Sequence, residues 1–135
     1  MAIIYRTTDR IPVSIGDCEF VFAPISQSQK IQLTQRFQGL QPDDVAASID
    51  MSKELLKQVI KDVKGIFLSD GSKWEVEFDA GQISSNSLDE ILSLECAGDL
   101  LKVAGQFLAR VPREGKLIDP STGEPMAGVE VKKMR

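Results

Sequence analysis

The chain has 135 residues, with 16 Lys and Arg against 20 Asp and Glu, two Cys and no His. A chain of this length buries roughly two-thirds of its unfolded surface, so a single core suffices without a disulfide framework or a metal. The missing histidine excludes Ser-His-Asp and Cys-His nucleophile pairs and His-ligated metals, and a formal net charge of −4 disfavours a protein that grips phosphate backbones.

Val13 and Ile15, then Phe20 and Phe22, alternate about a Gly16-Asp17 turn signal and predict a β-hairpin. Pro24 ends it, and Ser26 with Gln29 has the form of a capping box, which opens a surface helix through Ile31, Leu33 and Phe37 to Gly39. Pro42, Asp43 and Asp44 suit a turn before a short helical piece over Val45 to Ile49. The clearest period follows: Met51, Leu55, Val59, Val63 and Ile66 with Leu56 and Ile60 form an apolar stripe, predicting a helix from about Ser52 to Lys64 that Gly65 ends.

Beyond Gly65 the period changes from 3.6 to 2, and Ile66 to Leu68 and Lys73 to Phe78 read as a second hairpin about Asp70-Gly71. Trp74, Val76 and Phe78 would face the core, with Lys73, Glu75 and Glu77 in water. Ser87 and Glu90 repeat the capping-box form and open a helical run from Leu88 to Leu108, the main core helix, with a break near Ala97-Gly98. From Pro112 to Arg135 three prolines, three glycines and the absence of a helical period read as a linker-like tail.

The expectation is therefore an α+β fold, three to four helices packed with two β-hairpins in a single domain over residues 1–111, followed by a mobile or partner-docking C-terminal tail over 112–135. Its expected core is Phe20, Phe22, Leu55, Val59, Val63, Trp74, Val76, Phe78, Leu92, Leu101 and Phe107.

No catalytic, cofactor-binding or metal-binding constellation stands out. Phosphate-cradling Gly-rich loops and EF-hand spacings are missing, and the carboxylate pairs Asp43/Asp44, Asp89/Glu90 and Glu75/Glu77 read as helix-start charges or a wet strand face. Cys18 and Cys96 stand apart without CxxC spacing and are expected to be free, mostly buried thiols. No run approaches the roughly 18 apolar residues of a membrane span, and the first six residues lack a secretory pattern, so a cytoplasmic protein is expected.

Two sets of residues are candidates for partner binding. Lys53, Lys57, Lys61 and Lys64 would share one helix face, either as a solvated face offset by Glu54 and Asp62 or as a basic rim for an acidic partner. Leu117, Ile118, Val129 and Val131 keep apolar surface within the tail. Trp74 is either a sheet anchor or an interface anchor in a homo-oligomer.

The ordered pattern carries a resemblance. Phe20 to Ser26 before a Gln-rich helix, Val59 to Ile66, Asp70-Gly71 followed by Trp74 to Phe78, and then Ile83-Ser84 with Leu88 to Leu92 resemble tail assembly chaperones of long-tailed bacteriophages, of the siphophage type in lambdoid phages. The likeness covers about residues 10 to 110 and rests on hydrophobic and turn patterns. It implies a non-enzymatic protein, without cofactors, that binds the tape measure protein, keeps it soluble and helps the major tail tube protein polymerise around it. It also implies self-association, a place in the host cytoplasm during virion assembly but not in the mature virion, and no binding to nucleic acid or membrane. Many members have a second form extended by programmed ribosomal frameshifting, and Lys132-Lys133 is compatible with A-rich slippery codons. The alternative reading is a small tail-completion or head-tail connector protein that remains in the virion.

Overall fold

The computed structural model describes residues 2–133, which form a mixed α+β fold of one five-stranded antiparallel sheet, one two-stranded ribbon and four helices. The first hairpin is β1 (Ile11–Ile15) and β2 (Cys18–Phe22), joined through Gly16, whose φ of +59° suits the first central position of a two-residue hairpin turn. Ile11 pairs with Phe22 and Val13 with Phe20, so their side chains lie on one face.

Ser26 accepts a hydrogen bond from the Gln29 N–H and caps α1 (Gln27–Gln38) as the sequence predicts. Asp44 does the same for α2 (Val45–Val59) through the Ala47 N–H. The short helical piece and the longer one expected after it are thus one continuous helix, and it ends earlier than predicted. Ile60 is already extended, and Ile60–Lys64 is strand β3, paired with β2 through Phe20 and Val63 and through Phe22 and Ile60. The β-branched Ile60 and Val63 suit a strand, and the open edge of β2 offers their backbone a ladder.

The second predicted hairpin keeps its Asp-Gly turn but builds little ladder. Leu68 N–H donates to Ser72 O at 2.8 Å and Trp74 N–H to Ile66 O at 3.0 Å, around a single bridge between Phe67 and Lys73. With no long strand beside it, this arm leaves Trp74 and Val76 half-buried and Phe78 exposed, contrary to their predicted place in the core. A small ribbon follows, β4 (Phe78–Asp79) and β5 (Gln82–Ile83), turning through Ala80 and Gly81 at positive φ.

The expected long helix is two. In α3 (Ser85–Leu92) the cap is Ser84, three residues before the predicted Ser87, whose hydroxyl instead accepts the Glu77 N–H at 2.9 Å. The break falls at residues 93–96, just before the predicted place, and α4 (Ala97–Ala109) resumes the run. Leu88, Ile91, Leu100, Val103 and Phe107 are buried, while Leu92 and Leu101, expected in the core, are only half-buried at its margin.

The largest departure is at the C-terminus. Residues expected to form a mobile tail build β6 (Gly115–Ile118) and β7 (Pro125–Val131), and β7 pairs with β1 through Val13 and Val131 and through Ile15 and Val129. The sheet order is β3-β2-β1-β7-β6, so the boundary predicted at Pro112 does not hold. Gly123 and Gly128, which read as part of a linker-like tail in sequence, hold positive φ. Gly123 closes the β6–β7 turn, and Gly128 lies where β7 loses its alternation and its carbonyl accepts the Gly16 N–H at 2.8 Å.

Ile11, Val13, Ile15, Phe20, Phe22, Val63, Val129 and Val131 make one buried apolar face, joined in a single cluster by residues from all four helices. Phe107 of α4 stacks on Phe22 with ring centroids 4.7 Å apart. The opposite face carries Ser14, Glu19, Lys64, Lys116 and Glu130 as cross-strand partners, and Lys132 lies 3.9 Å from Glu19.

Deleting residues 113–135 removes β7, the neighbour of β1 on one side, together with β6 beyond it, and uncovers the apolar face of β1, so the truncated chain is expected to lose its cooperative unfolding transition in denaturant titration. An unchanged midpoint would contradict the pairing. Gly65→Ala tests the other flank of the first hairpin: Gly65 sits at φ +84°, and an added Cβ would meet the Asp17 carbonyl at 2.6 Å. A loss of roughly 2 kcal/mol or more is expected in the same assay.

Candidate interaction surface

The four lysines do not form one row. Lys53 pairs with Asp89 of α3 at 3.0 Å and Lys57 donates to the Ser85 hydroxyl at 3.1 Å, so both tie α2 to α3. Lys61 and Lys64 belong to β3 because the helix stops at Val59. Lys64 lies 3.9 Å from Asp62, an exposed pair of the kind that contributes at most about 1 kcal/mol.

Lys61 and Arg10 line an open polar cleft of about 540 Å³ with Ser26, Ser28, Gln58 and Gln82. Burial, and then the Arg10 charge, holds the Lys61 ammonium below its ordinary pKa. Arg10 is fixed by donating to the Thr7 and Asp9 carbonyls, each at 2.9 Å.

Of the tail set, Leu117, Val129 and Val131 are buried in the sheet core and only Ile118 is exposed, at 49%. These three are packing residues, hidden from any partner. The β6–β7 turn is fastened to α4: Asp119 accepts from the Ser121 N–H at 2.9 Å, the Ser121 hydroxyl at 2.7 Å and Lys102 at 3.0 Å, and Gln106 donates to the Ile118 carbonyl at 3.0 Å.

Trp74 meets neither extreme of its two readings. It packs half-buried against the core and its indole donates to Glu90 at 2.6 Å, in a cleft of about 350 Å³ lined also by Glu75, Glu77 and Asp89. Accessible apolar side chains lie elsewhere, among them Val45 and Ile49, four residues apart on α2 and 66% and 48% exposed, Phe67, Leu68 and Phe78 on the second hairpin, and Ile3, Ile4 and Ile31. The sequence signal for these was available, since Val45 and Ile49 precede the buried stripe and Phe67 and Leu68 adjoin the turn.

No group of three or more metal-ligating side chains occurs among the described residues, and no helix there is long and apolar enough to cross a membrane. Comparison with family models, curated proteins and solved structures returns no match. The class defined by the coordinates is thus the mixed α+β fold itself, with helices on one face of an antiparallel sheet.

The Asp119 carboxyl is held at a pKa of about 2, first by the Ser121 hydroxyl, then by Lys102 and the Ser121 N–H. Because the folded value lies below the ordinary 3.8, its contribution to stability is present above about pH 4 and is lost as pH falls towards 2. Carboxyl-detected NMR should give a midpoint near 2 for Asp119, and Asp119→Asn should remove the corresponding part of the acid-side dependence of stability.

Proposed function

We propose that the chain is a phage tail assembly chaperone that binds a tape measure protein, keeps it soluble and promotes tail tube polymerisation around it. The observation that carries this reading is the set of exposed apolar side chains outside the core, Val45 and Ile49 on α2 and Phe67 and Leu68 on the second hairpin. A long helical chain with apolar stripes aggregates unless those stripes are covered, and side chains of this kind supply cover without a catalytic centre. The patterned likeness over about residues 10 to 110 supports the same role. Non-enzymatic action, self-association, contact with the major tail tube protein, a frameshift-extended second form and a place in the host cytoplasm belong to this proposal.

Co-expression of the full chain with a tape measure fragment, followed by affinity capture, tests it. Wild-type protein should retain the fragment in solution. The double variant Val45→Asp, Phe67→Asp, if it unfolds at the wild-type midpoint, should weaken capture about tenfold or more, equivalent to about 1.4 kcal/mol. Absence of capture with the protein built into purified virions would favour the connector reading instead.

A further inference from the structure

The open cleft of about 540 Å³ that Arg10 and Lys61 share has no Asp or Glu in its wall. Both cations are half-buried, and among the described residues neither pairs with a carboxylate. Their acidic neighbours in the chain are engaged elsewhere. Asp9 accepts the Arg6 N–H at 2.7 Å, while Asp62 accepts the Val63 N–H at 2.9 Å and lies beside Lys64. Two cations brought together without a counter-charge repel each other, and burial removes part of the water that would screen them.

Arg10 is held ready for an anion. Its Nη1 is taken up by the Thr7 and Asp9 carbonyls, which leaves Nη2 and Nε, one edge of the planar fork, without an acceptor among the described residues. Such an edge matches two oxygens of one oxyanion, and the Lys61 ammonium adds a second charge from β3. The Ser28 hydroxyl, 3.5 Å from that of Ser26, brings a neutral hydrogen-bonding group to the same wall. Gln58 contributes the opposite need. Its Nε2 donates to Glu54 at 3.4 Å, and its buried Oε1 accepts no hydrogen bond from the described residues, so it calls for a donor.

We infer that this cleft binds the phosphate monoester of a small hydroxylated molecule, of the sugar phosphate class. The phosphoryl dianion neutralises Arg10 and Lys61 together, and a hydroxyl of the same ligand supplies the donor that Gln58 lacks. The volume is within the range of small-molecule sites and exceeds what a bare phosphate fills. No aromatic side chain lines the cleft, so a nucleobase finds no stacking surface there. Burial and then the Arg10 charge lower the Lys61 pKa, and a shared dianion offsets the second of these effects.

Isotope-labelled full-length protein is titrated with ribose 5-phosphate, with inorganic phosphate, with ribose and with a glutamate-rich peptide, at ionic strength held constant by sodium chloride, and its amide and Arg Nε–H shifts are followed by NMR. Ribose 5-phosphate should give saturable shifts at Arg10, Ser28, Gln58 and Lys61, with inorganic phosphate bound about tenfold or more weaker and ribose not at all. Arg10→Gln and Lys61→Gln should each weaken binding about tenfold or more, while Lys132→Gln, which removes a cation outside the cleft, should leave it unchanged. Shifts that rise linearly without saturation, equal binding of inorganic phosphate, or tighter binding of the glutamate-rich peptide to the same residues overturns the inference. These results come from the wild-type protein and need neither cleft variant.

Discussion

The pairing of β1 with β7 is the constraint on which the rest of the structure depends. β1 is the central strand, flanked by β2 from its own hairpin and by β7 from the opposite end of the chain, so its two ladders join residues next to each other and residues more than 110 positions apart. Until β7 arrives, Val13 and Ile15 have a partner on one side only. Every helix must meanwhile form and pack in the interval between β2 and β6. Such long-range closure slows folding relative to a helical bundle, because the loop must close before its contacts stabilise it.

Once the sheet closes, its chemistry sorts by face. The apolar side needs a lid, and Phe107 stacked on Phe22 anchors α4 there. Lys30 of α1 donates to the Ala109 carbonyl at 2.6 Å, meeting the exposed carbonyl end of α4 with a positive charge. The β1–β2 turn is the crowded point of the sheet: Gly65 approaches the Asp17 carbonyl from β3, while Gly128 receives the Gly16 N–H from β7. Glycine is required at Gly65 by both backbone angle and space, so two strands can close on one turn.

What was legible in the sequence was local. The first hairpin declared itself by alternation about Gly16-Asp17, the α1 start by Ser26 and Gln29, and the mixed α+β class by its changes of period. What failed was non-local. Ile60 and Val63 satisfy a helical stripe and a strand equally, and only β2 decides between them. Val129, Glu130 and Val131 alternate as a strand should, yet their Gly-rich, Pro-rich surroundings read as linker because the partner strand lies at the other end of the chain. Trp74, Val76 and Phe78 alternate equally well and find no long strand to pair with. The candidate sites followed the same logic: the lysine row depended on a helix that stops at Val59.

The fold also limits how another protein can be held. Edge strands invite pairing with a further chain, but β3 carries Lys61, Asp62 and Lys64 along its five residues, and β6 is a four-residue strand beginning with Gly115 and Lys116. Short, charged edges of this kind oppose strand addition. The apolar face of the sheet is already filled, and its opposite face carries the row Lys64, Glu19, Ser14, Glu130 and Lys116 across β3, β2, β1, β7 and β6. Apolar side chains raised above the surface remain available to a partner, among them Val45 and Ile49 on the first turns of α2 and Phe67 and Leu68 on the second hairpin. Neither place contributes to the sheet ladders, so a partner can use them without competing with the contacts that close the fold. On the chaperone reading, this separation is what lets the protein grip and release a client while its own core stays intact.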